Sequence, residues 1–185
     1  MRHLLLALPF VWLPLIAQAH DHAHEHAEHG SLGAHEHGVA NLNIALDGKQ
    51  LEVQLESPAM NLIGFEHAAR SEADKAQLEN ARRELEKPLT LFALSSNNCR
   101  NTRIELHSPL FYEGVHEHHH SHGHDDEHSE IHAHYQFECT NELKQLSLAE
   151  LFKRFPATEK VQVQLIGPAG QQGLILTPSQ PRLSF

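Results

Sequence analysis

Sulfur is scarce in this chain: its 185 residues include two cysteines and two methionines, one of them the initiator. A carrier of Cu(I) needs soft sulfur ligands, so that class is disfavoured. Cationic side chains are also few, with 14 Lys and Arg against 24 Asp and Glu and a formal charge of -10. Neutralising a phosphate backbone needs the opposite balance, which sets DNA and RNA aside. Beyond the N-terminal stretch there is no apolar run of the roughly 20 residues that a membrane span requires. No nucleophile elbow, phosphate-binding loop or paired-carboxylate arrangement stands out, so no enzymatic role is expected.

Histidine is abundant, with 19 copies. The first of them belongs to a stretch that reads as a signal peptide, residues 1–19. Arg2 and His3 give it a polar start, Leu4 to Ile16 is nearly all apolar, and Ala17-Gln18-Ala19 fits a small-x-small cleavage site. The run is short for an anchor and carries Pro9 and Pro14, so cleavage before His20 is expected, with no membrane insertion afterwards. The product would work outside the cytoplasm.

The remaining histidines are clustered. One group forms a tail over residues 20–37: His20, His22, His24, His26, His29, His35 and His37. A second forms a central tract: His116, His118, His119, His120, His122, His124, His128, His132 and His134. His67 and His107 stand alone. Both strings have almost no apolar content and cannot offset their ordering entropy, so the tail and a loop at 113–130 are expected to be disordered without a ligand.

The rest, residues 38–185, reads as a single α+β domain interrupted by that loop. Ala40, Leu42, Ile44 and Leu46 alternate with more polar positions, Asp47-Gly48 supplies turn chemistry, and Leu51, Val53 and Leu55 resume the alternation, as a hairpin would. Ser71 can cap one longer helix that runs to about Lys87, with Ala76, Leu78 or Ala81, and Leu85 inward, before Pro88 ends it. Strands are predicted at Leu89 to Leu94, Thr102 to His107, Ala133 to Glu138 and Gln145 to Leu148, and a short helix at Ala149 to Phe155. Val161, Val163 and Leu165 pair across Gly167-Pro168-Ala169-Gly170 with Leu174 to Leu176 as a second hairpin. The predicted architecture is an antiparallel sheet built from hairpins.

Cys99 and Cys139 bracket every histidine of the central tract. In an oxidising compartment two thiols are expected to pair. By the chain-entropy model a loop of this size would stabilise the fold by roughly 4 kcal/mol. The competing role, two thiolate metal ligands, lacks any C-x-x-C companion.

Neutral imidazole is the commonest protein metal ligand, and zinc takes four ligands from nitrogen and carboxylate oxygen. The His-x-His spacing of His20 to His26 puts alternate rings on one side of an extended chain, about 7 Å apart. Asp21, Glu25, Glu28, Asp125, Asp126 and Glu127 add oxygen ligands and an attracting field. At three or four ligands per ion, the histidines of the processed chain set a ceiling of about four to six Zn2+. Cu2+ and Ni2+ are the alternatives: Cu2+ would win by intrinsic affinity, and the amine of His20, two amides and His22 form a square-planar frame after cleavage. The bland alternative is a solvated, pH-sensitive spacer. His116-Glu117-His118-His119-His120 formally satisfies H-E-x-x-H, but its surroundings offer no apolar face for the rigid helix that motif needs. A tighter, preformed site is conceivable from His35, His37 and His67, completed by Glu66 or a tract histidine. Against it stands the reading in which Glu66 and His67 merely cap or flank the following helix. His107, at a strand end, reads as structural or exposed.

Several strings carry a family likeness: His35-Glu36-His37-Gly38-Val39-Ala40-Asn41-Leu42, Glu56-Ser57-Pro58-Ala59, Gly64-Phe65-Glu66-His67 and Leu151-Phe152-Lys153-Arg154-Phe155-Pro156, beside the histidine insert. The chain resembles the ZrgA-like periplasmic zinc-binding proteins over essentially all of its processed length. That resemblance implies a periplasmic protein that captures Zn2+ and supplies it to an inner-membrane zinc importer of a Gram-negative bacterium. The alternative is a buffering or detoxifying protein for excess zinc, copper or nickel.

Overall fold

The computed structural model describes residues 36–95, 98–111 and 129–185. Residues 1–19, expected to be a signal peptide, the tail histidines up to His35 and the insert histidines up to His128 lie outside these residues.

The first alternation folds as predicted. Strand β1 (Val39–Asp47) returns through Gly48-Lys49 into β2 (Gln50–Pro58), with Asp47 facing Gln50. Ala40, Leu42, Ile44 and Leu46 are buried, as are Leu51, Val53 and Leu55 opposite them. A short helix, α1 (Ala59–Ile63), follows directly. Helix α2 (Glu72–Leu85) then starts at a capping box: the Ser71 hydroxyl accepts from the Asp74 N–H, and the Asp74 carboxylate accepts from the Ser71 N–H, both at 3.0 Å. The Ser71 backbone and hydroxyl hold the Asp74 carboxyl below its usual pKa. Ala81 and Leu85 face the core and Leu78 is half-buried, but Ala76, predicted inward, is exposed. Only the second half of this helix covers apolar surface.

The predicted strand at Leu89 to Leu94 is instead a helical turn, α3 (Pro88–Leu91). Pro88 occupies its first turn, where the fixed φ and missing N–H favour a helix start. Leu91, Phe92 and Leu94 are buried while Ala93 takes φ +53, which lets the Leu94 N–H reach the Leu89 carbonyl at 2.8 Å. Strand β3 (Cys99–His107) leads to a 3-10 turn at Pro109–Phe111, and β4 (Glu130–Cys139) returns beside β3. After β5 (Gln145–Ser147) come α4 (Ala149–Arg154), β6 (Lys160–Gly167), β7 (Gly170–Leu176) and β8 (Arg182–Ser184).

Six strands form one sheet in the order β3-β4-β2-β1-β6-β7, and β5 pairs with β8. The hairpins are antiparallel as predicted, but β1 and β6 run parallel, Ala40 facing Val161 and Ile44 facing Leu165, so the sheet is mixed. The parallel seam joins two hairpins along edges that each would otherwise leave unpaired. Local alternation cannot reveal it, because either orientation buries the same side chains.

One sheet face is the core. Tyr135 and Phe137 of β4 meet Phe92 edge-on, with ring centroids 5.4 and 6.2 Å away. The Tyr135 hydroxyl donates to the Leu85 carbonyl at 3.0 Å, satisfying an acceptor that the end of α2 leaves open. Burial pushes the Tyr135 pKa above its ordinary value and keeps the phenol neutral. Arg154 of α4 pairs with Glu84 of α2. Glu84 is held below the usual carboxylate range, by the Lys87 hydrogen bond first and then by the Arg154 charge. Cys99 and Cys139 face each other in the β3–β4 ladder with Cα atoms 4.0 Å apart and form the expected disulfide. No helix among the described residues is long and apolar enough to cross a membrane.

Two substitutions probe this packing. Tyr135→Phe removes the donor to Leu85 and is expected to cost about 1 kcal/mol in urea unfolding. Ala93→Gly removes a Cβ from a left-handed position and is expected to stabilise by about 0.5 to 1 kcal/mol; a loss of stability instead would contradict the turn described.

Candidate metal-binding site

The start of β1 is fixed by one buried amide. Asn61 of α1 accepts the Gly38 N–H at 2.7 Å and donates to the Val39 carbonyl at 2.8 Å and to the Ser57 hydroxyl at 3.2 Å. Gly38 takes φ +84 and its carbonyl accepts from both Glu159 and Lys160 N–H groups, so the backbone on either side of it has little freedom. His37 precedes this clamp and is thereby positioned.

The opposing group arrives from the end of α1. Gly64, at φ +83, closes the helix with its N–H on the Met60 carbonyl and turns the chain outward. Phe65 tucks into the core and Glu66 lands beside His37, its Oε1 3.1 Å from His37 Nε2. The Glu66 side chain is 12% exposed against 49% for His37, so the carboxylate is the fixed partner. The Glu66 carbonyl in turn accepts from the Ser129 hydroxyl at 3.0 Å, while the Ser129 carbonyl accepts from the Ala59 N–H at 2.8 Å.

Two chain junctions therefore meet on one residue. His37 is the last histidine of the N-terminal tail, and Ser129 follows His128, the last histidine before β4. Both are hydrogen-bonded to Glu66. His67, the next residue, stacks on Phe65 with centroids 4.8 Å apart, and its Nδ1 lies 3.0 Å from the Ala68 carbonyl. That contact suits a ring protonated on Nδ1, which leaves Nε2 with the lone pair a metal needs.

His132 and His134, the last histidines of the central tract, belong to β4 and lie on the sheet face opposite the core, His134 within the strand predicted from Ala133. His134 Nε2 is 2.8 Å from Glu52 Oε1, and its Nδ1 is 3.7 Å from Glu105 Oε2. His132 Nε2 is 3.4 Å from Glu130 Oε2, and His132 faces His107 across the ladder. Glu105 is held below the usual carboxylate range, chiefly by its hydrogen bond from Arg103 and then by nearby positive charge, so it stays an anion. The other half of this outer face, on β1, β6 and β7, carries amides such as Asn41, Asn43, Gln162 and Gln164, with Ile166 and Ile175 exposed.

Of the expected set, His35, His37 and His67 completed by Glu66 or a tract histidine, the structure brings His37 and Glu66 into contact. The contacts of His67 are Phe65 and Ala68 rather than His37, and His35 lies outside the described residues. Neither Glu66 nor His67 caps α2; Ser71 does. Among the described residues, no three histidine, cysteine, aspartate or glutamate side chains already converge as a closed metal cage. Sequence reasoning missed Asn61 and Ser129. The Glu56-Ser57-Pro58-Ala59 string was the available signal for the first, since it ends β2 beneath Asn61.

Asn61→Ala would leave the Gly38 N–H and the Val39 carbonyl without their buried partner. The expected loss is about 2 to 3 kcal/mol in denaturant unfolding; a change under about 0.5 kcal/mol would mean the clamp does not hold this corner.

Comparison with curated proteins gives no match. A family model, described as ZrgA family zinc uptake protein, matches residues 34–185, from just before the clamp to the C-terminal Phe185. The chain belongs to the ZrgA family of zinc uptake proteins.

Proposed function

We propose that this protein is exported to the periplasm, captures Zn2+ with its histidine-rich segments and supplies the ion to an inner-membrane import system. Family membership supports the zinc uptake role. The observation that carries the capture mechanism is the meeting of both tract junctions at Glu66. Two strings tethered at one point see each other at an effective concentration on the order of millimolar. An ion held by two rings of one string can then be completed by rings or carboxylates of the other. Ordering each residue costs on the order of 1 to 2 kcal/mol, so individual sites are modest in affinity and release their cargo readily, as delivery requires. The proposed ligands are the tail and insert histidines, with His37, Glu66 and His67 at the junction. Zn2+ is cargo here, and no catalytic step is assigned.

Equilibrium dialysis of the processed protein at neutral pH should return several bound Zn2+ per chain. Binding should decline as pH drops through about 6.5, because protonated imidazole cannot ligate. Replacing residues 116–128 with a Gly-Ser linker should remove several ions. A deletion strain should grow poorly under chelation; sensitivity to added metal instead would assign buffering, and protein that emerges without zinc would overturn the proposal.

A further inference from the structure

The outer face of β3 and β4 holds a second set of imidazoles on ordered backbone. Alternation along β4 puts His132 and His134 on one face about 7 Å apart. The register places His107 directly opposite His132, at the roughly 5 Å separation of facing residues. Carboxylates border the trio: Glu130 beside His132, and Glu52 and Glu105 on either side of His134. β4 is paired on both sides, by β2 and β3, and the disulfide ties the far end of the ladder.

We propose that His107, His132 and His134 form a divalent-cation site on the sheet itself, distinct from the histidine strings and completed by one of the neighbouring glutamates. The choice of Zn2+ rests on the zinc uptake reading above. No closed cage is present among the described residues, and none is required beforehand. The three rings are exposed or half-buried, and bringing them together takes side-chain rotation with the strands left in place. A carboxylate that holds a ring now can accept the ring's other N–H once the first nitrogen is on a metal, the usual outer partner of a histidine ligand. Because the strand backbone is already ordered, this site avoids the ordering cost that the capture proposal assigns to each string residue. It should therefore take the first equivalent of Zn2+. Its place suits that role, since the insert leaves after the end of β3 and rejoins at the start of β4: His107 is the last residue of β3, and His132 is the third of β4.

The test is histidine-resolved 15N NMR of the full processed chain during a Zn2+ titration. Below one equivalent, the imidazole signals of His107, His132 and His134 should shift together. His132→Gln, on an exposed face, should abolish the shift at the other two and reduce stoichiometry by about one ion, with the amide spectrum otherwise retained. His107→Asn, at the strand end, serves as the second variant and should do the same. If the string histidines shift while these three do not, the sheet site is overturned and the capture proposal survives. If these three shift alone, the sheet site stands and the strings lose their role. If no histidine responds, both fall.

Discussion

The amide of Asn61 is the interaction on which the functional end of this molecule depends. Its three hydrogen bonds tie α1 to the beginning of β1 and the end of β2, in a buried place where each unsatisfied partner would be costly. Together with the Glu159 and Lys160 N–H groups on the Gly38 carbonyl, this amide keeps His37 within reach of Glu66. The side chain is neutral and small, so it fixes the backbone without competing for a cation. On the proposed role, metal capture and rigidity of the frame would fall to different chemistries, imidazole with carboxylate for one and amide for the other.

The outer sheet face is divided in the same spirit. On β3, β4 and β2 it carries histidine, glutamate and arginine; on β1, β6 and β7 it carries amides and two exposed isoleucines. The boundary falls next to β1, the strand whose parallel pairing with β6 merges the two hairpins. Charge is therefore denser on the half of the sheet from which the insert departs, while the amide half has its charges, Asp47 and Lys160, at strand ends. Glu105, kept anionic by Arg103, holds negative charge close to His134.

Much of the fold was legible because period-two alternation and turn residues are strong local signals. β1, β2, β6 and β7 were readable in this way, and Ser71 announced α2. Leu89 to Leu94 misled because a short apolar run is equally consistent with a strand, and the starting role of Pro88 was taken only as a stop. The parallel seam and the β5–β8 pair depend on contacts between distant segments, which leave no local trace. At the site, Gly64-Phe65-Glu66-His67 stands out as a string, and Glu66 is one of the two alternatives it offers to complete a set with His35, His37 and His67. The part of Ser129 was not anticipated, since a serine ending a histidine tract resembles the tract. Composition groups His132 and His134 with the tract, while alternation from Ala133 onward marks a strand that already contains His134 and, in the structure, extends back to Glu130.

The disulfide closes β3 against β4 at Cys99 and Cys139, the end of the ladder remote from the insert. From there to His107 and His132 the two strands are registered, with one irregularity near Asn101 and Arg103. The ladder is thereby complete on its own terms before the chain between Phe111 and Ser129 is counted. On the proposed capture role, histidines could then be added to or removed from that gap without touching the residues that keep the frame folded, so the amount of metal held and the durability of the frame would be separate properties.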